Sequence, residues 1–170
     1  MSVPRPVSPR STQARRKSSP LDAQLDAAQQ RCVTLGGQLT ALRREVLRLL
    51  LQRGGTAKAY DLQDDMRIAH GRVAPMTVYR ALDFLIQMGL VHRVDALNAF
   101  VVCTHQHAHD DESLQTVMLA CTACGEVREE VLPDETAALS AAIRQRLTFM
   151  PLAFEVKGLC KTCHKETEKR

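Results

Sequence analysis

At 170 residues the chain has room for one medium domain or two small ones, and its 45% hydrophobic content suffices for a core. With no Trp and only 4% aromatic residues, small helical packing is favoured over a large β-sandwich. No run approaches the ~18–20 apolar residues of a membrane span and the N-terminus lacks a hydrophobic signal core, so a soluble, cytoplasmic protein is expected. The net charge of +4 is uneven: Arg5, Arg10, Arg15, Arg16 and Lys17 stand in the first twenty residues without an acid, and the remainder holds 18 basic against 19 acidic residues. That Pro/Ser/Arg stretch, residues 1–20, cannot bury a core and reads as a disordered basic tail. Its cations serve either nonspecific attraction to phosphate or solubility alone.

Leu21, Leu25, Ala28, Cys32 and Leu35 then recur at helical spacing until Gly36-Gly37. A second helix follows a Thr40 cap, with Leu42, Val46, Leu49 and Leu50 on one face and Gly54-Gly55 as its stop. Thr56 is read as the cap of a short third helix that turns Leu62 and Met66 inward. After a loop at His70–Val73, "APMTVYRALDFLIQMG" has Pro in the first turn, Gly89 just past the end, and a stripe of Val78, Leu82, Leu85 and Ile86. The period then shortens to two. "LVHRV" and "AFVVC" flank a turn at Asp95–Asn98 and read as a hairpin. Short helices followed by a two-stranded hairpin make a winged helix-turn-helix, which places its last helix in the DNA major groove.

The second half reads as a strand ("TVMLAC"), a knuckle ("CTACG"), a returning strand ("EVREEVL"), an amphipathic helix carrying Leu139, Ala142, Ile143 and Leu147, and a final strand ("AFEVKGLC") closing on "CKTCH". At about 60 residues such a module is marginal unless a metal or a partner subunit helps. The overall class is α+β: a winged helix-turn-helix over residues 21–102, a smaller α/β module over 103–164, and a tail at 165–170.

Six cysteines in a reducing compartment argue against a disulfide framework. Four of them form two C-x-x-C pairs, Cys121/Cys124 and Cys160/Cys163, and two such knuckles complete the Cys₄ set of a closed structural zinc site. The 35 residues between the pairs hold a whole helix and strand. Cys103, His105, His107 and His109 alternate, so in an extended chain they point to one side. His92 lies on the neighbouring strand and Glu129 near the end of the strand leaving the first knuckle. One thiolate, two imidazoles and one carboxylate make a plausible second zinc set. Four thiolates around Zn²⁺ leave −2 and a tight site, whereas the second set is neutral and exchanges more readily. The spare histidines, with Asp110 and Asp111, leave open a third, weaker site or an unliganded loop. In "TVYRAL", Arg80 suits a bidentate contact to guanine, and Thr77 and Tyr79 suit phosphate or base edges, Tyr79 alternatively the edge of the core. Arg43, Lys58 and Tyr60 near helix starts suit backbone phosphates, or are ordinary solvated residues. Asp64 and Arg67 read as a surface i,i+3 pair.

Taken in order, "LTALRREVLRLL", "AYDL", "TVYRALDFL", "GLVHRV", the Cys and His residues before "CTACGEVREE", and "GLCKTC" resemble the ferric uptake regulator family, most closely its zinc uptake regulator branch, over about residues 21–164. The resemblance implies a homodimer whose winged helices are joined by a hinge to the dimerisation modules, with metal-dependent operator binding and repression of metal-import genes. By position, Cys121, Cys124, Cys160 and Cys163 match the structural zinc ligands; His92, Cys103, His109 and Glu129 match the regulatory set, with His107 the runner-up for His109. Tyr60 and Arg80 match positions that approach bases. The thiolate of Cys103 points to zinc rather than iron. Ala41 replaces the usual Pro, the Cys103–Cys121 segment is longer than in typical relatives, and the basic tail has no counterpart. The expectation is a zinc-responsive regulator with two zinc ions per subunit, against an iron or peroxide sensor on the same scaffold or a zinc store or chaperone. Neither H-E-x-x-H nor a deaminase signature is present, and each proposed metal set is filled by protein groups, so an enzyme is not expected.

Overall fold

The computed structural model describes residues 19–104, 116–131, 133–149, 151 and 154–168. Helix α1 (Pro20–Thr34) starts on a capping box in which Ser19 and Asp22 bond each other's backbone N–H groups, and it buries Leu25, Ala28 and Cys32. Leu35, expected on that stripe, is instead the exposed C-cap, because the helix has ended before its side chain can turn inward. Helix α2 (Ala41–Gln52) presents Val46, Leu47, Leu49 and Leu50 to the core.

The third element departs from the sequence reading. Thr56–Ala57 is not a helix start but a short strand, β1, paired antiparallel with Val101 and Phe100. The positive φ of Gly54 and Gly55 turns the chain back far enough for the Gly55 carbonyl to accept from Val102. Helix α3 (Ala59–His70) therefore starts two residues later, capped from within by Asp61, whose carboxylate accepts from the Lys58 N–H. Leu62 and Met66 face inward as expected. Helix α4 (Pro75–Gln87) has Pro in its first turn and Gly89, at φ +63°, just beyond its end. It buries Val78, Ala81, Leu82 and Leu85, with Ile86 packed at the edge.

Strands β2 (Val91–Val94) and β3 (Ala99–Val102) form the expected hairpin, turned through a single 3₁₀ turn (Asp95–Leu97) and a left-handed Asn98. The wing sheet is thus three-stranded, in the order β1-β3-β2. One apolar cluster, from Leu25 through Phe100, joins α1–α4 to this sheet.

The second sheet has the order β5-β4-β6. Strands β4 (Thr116–Cys121) and β5 (Val127–Val131) are antiparallel, while β6 (Phe154–Gly158) lies parallel to β4. Helix α5 (Pro133–Leu147) lies within the connection that a parallel pair requires. Thr136 and Ser140 are its buried side chains, whereas on the apolar stripe read from the sequence Ala142 and Ile143 are half-buried and Leu139 and Leu147 are 50% and 67% exposed. A short helix α6 (Lys161–Glu168) begins in the second knuckle and runs through residues read as a tail, its start tied by the His164 N–H to the Cys160 carbonyl. The two sheets meet through a second apolar cluster: Val94 and Val101 from the wing, Met118 and Ala120 from β4.

Candidate metal centres

The first cluster follows from the β4–β6 pairing. Because these strands are parallel, Cys121 ends one beside Gly158, which ends the other. Both knuckles therefore open at the same end of the sheet. The first is closed by Gly125 N–H to the Cys121 carbonyl (3.0 Å) and Cys121 N–H to the Glu126 carbonyl (2.8 Å). The sulfurs of Cys121, Cys124, Cys160 and Cys163 all lie within 4.8 Å of one another. None of the six cysteines forms a disulfide. Tetrahedral zinc–thiolate bonds of about 2.3 Å require sulfurs about 3.8 Å apart, and Cys124 and Cys160 stand 3.8 Å apart.

The electrostatics of this thiol set suit a cation. Backbone N–H groups of Cys124 and Cys160 draw the Cys121 thiol down to about 6, the latter at 3.3 Å from its sulfur. Crowding by Cys160 and Cys124 pushes the Cys163 thiol up. One thiolate forms readily and opposes the next, so full ionisation calls for a positive ion among them. Cys32 differs: it is wholly buried in the helical core and burial raises its thiol, which marks it as a packing residue.

The second cluster lies where wing and second sheet touch. His92 stands opposite Val101, and Cys103, two residues beyond Val101, is its diagonal neighbour on the same face. The Cys103 N–H is held by the Leu90 carbonyl at 2.9 Å. Along β5 exposure alternates, with Arg128 and Glu130 outward and Glu129 inward. The Glu129 side chain is only 2% exposed. Its Oε1 lies 3.0 Å from His92 Nε2 and 3.6 Å from Cys103 Sγ. The Thr104 N–H and hydroxyl donate to its other oxygen at 2.8 and 3.0 Å. Burial pushes the Glu129 carboxyl up, but the hydrogen bonds from His92 and Thr104 outweigh it and hold the group well below the usual carboxylate range. Around a tetrahedral zinc the S···O and N···O edges would be about 3.5 and 3.3 Å, close to the spacing found. His105, His107 and His109, from which the fourth ligand was expected, lie outside the described residues, as do Asp110 and Asp111.

Among the DNA-contact candidates, Tyr79 and Arg80 are exposed on α4, opposite its buried stripe, and Thr77 is half-buried. Tyr60 is exposed on α3, preceded by exposed Lys58. Arg43 behaves differently. Its guanidinium lies 3.5 Å over the Phe84 ring and donates to the Gln38 carbonyl at 2.7 Å, so it braces α4 against the start of α2. Asp64 and Arg67 form the expected surface pair at 3.1 Å. Thr104 and Glu155 were not singled out from sequence. Glu155 lies in a strand of ordinary alternation, and its partners are 59 and 60 residues away, a separation that leaves no local pattern.

A winged helix joined to a small αβ unit, with four thiols in one cluster and a mixed Cys/His/Glu group at the joint, defines a metal-binding winged-helix protein. The profile described as "Ferric uptake regulator family" matches residues 34–151. Over 140 residues the chain is 37% identical to the zinc uptake regulation protein of Escherichia coli (strain K12), spanning 82% of this chain and 80% of the relative, and equally to that of Shigella flexneri. Among solved structures it resembles a zinc uptake regulator complexed with zinc and DNA (TM-score 0.74, 33% identity, 89% of this chain and 99% of that one). It is also similar to holo XcZur (TM-score 0.71, 38% identity, 84% and 98%). The chain belongs to the ferric uptake regulator family.

Proposed function

We propose that this protein is a zinc-responsive DNA-binding regulator that represses zinc-uptake genes as a homodimer. In this reading residues 21–102 read DNA, with Lys58, Tyr60, Thr77, Tyr79 and Arg80 toward the duplex, and residues 103–164 pair the subunits. Cys121, Cys124, Cys160 and Cys163 hold a structural zinc. His92, Cys103 and Glu129, with a histidine of the 105–109 segment (His109 by position), hold the regulatory one. Zinc supplies four-coordinate bonding between groups that water would otherwise separate.

One observation carries the reading: His92 comes from the wing, Cys103 from the first residue past it and Glu129 from the second sheet, and their ligand atoms meet at the joint. A cation there binds only the arrangement that brings all three together, so its presence selects that posture. In the dimer, two wings held in one posture present their α4 helices at a fixed separation, matching the two halves of an inverted repeat. The buried thiol among the three favours zinc over iron. Exposed Leu139 and Leu147 supply apolar surface for a second subunit.

The test pairs zinc stoichiometry with gel-shift titrations on a zinc-importer promoter fragment and on random DNA. Two zinc ions per subunit are expected, one of them removed by a moderate chelator, with promoter affinity falling roughly 5–150-fold on its removal. Equal affinity in both states sinks the reading, and equal affinity for promoter and random DNA points to zinc storage instead.

A further inference from the structure

We infer that Glu155 is a positioning residue for the regulatory site: it clasps the wing turn to the second sheet and so sets how readily the three joint ligands assemble. The inference rests on the zinc-sensing reading above.

The sheet register places Glu155 unusually. Met118 on the central strand stands opposite Glu129 on β5 and opposite Glu155 on β6. Residues level with one another on adjacent strands project from the same face, so Glu129, Met118 and Glu155 form one row across the sheet, facing the wing. Each member grips the wing in its own way. Glu129 meets His92, Cys103 and Thr104. Met118 packs with Val94 and Val101. Glu155 accepts from the Asp95 N–H at 2.9 Å and the Ala96 N–H at 2.6 Å, the first two amides of the 3₁₀ turn in the wing hairpin. That turn is itself steadied by Arg93, whose Nε donates to Asp95 at 2.8 Å.

Two carboxylates on the two edge strands thus hold the wing on either flank of an apolar fulcrum. With only Met118 and its neighbours in place, the wing can rock about that row, and rocking carries His92 and Cys103 off Glu129. A bidentate, charge-assisted clasp at the other flank removes that freedom before any ion arrives. The ion then binds a competent arrangement that is already populated, and its apparent affinity rises by the gain in that population. Coupling of this kind is reciprocal, so filling the joint must also tighten the clasp.

Zinc competition against a chelator is the measurement, made on the full-length dimer with Glu155→Ala and Glu155→Gln. For Glu155→Ala the more labile zinc should bind about 5–20-fold more weakly, while the tightly held zinc and the dimer are unaltered; Glu155→Gln, which keeps one acceptor oxygen, should fall between. A merely structural role would weaken both ions or neither. Hydrogen exchange adds a test on the wild type alone: the Asp95 and Ala96 amides should exchange more slowly once the labile zinc is bound. Unchanged labile-zinc affinity in Glu155→Ala, or exchange at those amides indifferent to zinc, overturns the inference. If the wild type takes up only one zinc, it is the sensing reading that fails. Faster exchange of the two amides in Glu155→Ala than in wild type then still upholds the clasp, and equal exchange removes it.

Discussion

The seven candidate ligands that the structure describes fall into two sets with different burdens, and single substitutions should separate them. Cys103→Ser leaves His92 and Glu129 side by side at 3.0 Å but removes the soft donor. A folded dimer that retains one zinc and binds promoter DNA without regard to zinc is expected, by mass spectrometry and gel shift. Cys121→Ser strikes the thiol nearest to ionising and should cost folding or dimerisation, read from circular dichroism and sedimentation. The four cysteines were legible in their paired C-x-x-C spacing, whereas His92, Cys103 and Glu129 drew much of their weight from the family resemblance, because His and Glu serve many other ends. Glu155 was not legible, since a carboxylate that accepts from distant amides looks like any surface acid until the chain is folded. Acid sensitivity has a residue-scale source in the helical half. Arg48 beside Glu45, with help from His70, holds the Glu45 carboxyl down to about 2 from the ordinary 4.5. The stabilisation is fully present above pH 4.5 and is lost as pH falls toward 2. Glu45→Gln should therefore flatten thermal stability against pH across that interval, as followed by acid-titration melts.

At the scale of elements, helices α1–α5 and the hairpin were readable from period and punctuation, because apolar spacing and Gly or Pro boundaries are local signals. Strand β1 was hidden for the opposite reason. Two residues carry no period, and Thr56 beside a helix resembles a cap until Val101 and Phe100 come alongside. Helix α5 was legible as an amphipathic helix but its packing was not, since amphipathicity shows which residues share a face and says nothing of what that face will meet. The start of α2 offers a clean test of local backbone logic. Thr40 sits at φ −61°, ψ 162°, the conformation favoured before proline, and Ala41 takes the first helical position. Ala41→Pro should stabilise by about 0.4–1 kcal/mol, through a less free unfolded chain, and raise the melting temperature by about 1–4 °C in calorimetry.

At the scale of the molecule, the leucine face of α5 states what the single chain leaves unfinished. A 15-residue helix that buries Thr136 and Ser140 and exposes its leucines offers an apolar face to the second subunit of the proposed dimer. Leu139→Lys keeps helix propensity but places a charge there, and should shift sedimentation from dimer toward monomer with helical content intact. One hairpin also serves both metal sets: β4 ends in Cys121, and β5 brings back Glu129 opposite Met118. In the proposed reading a zinc-closed knuckle at its tip fixes the register that gives the carboxylate farther down its address. On the proposed two-zinc reading, filling would then be ordered, and each newly made polypeptide would draw one ion out of circulation before it begins to gauge the supply of the rest.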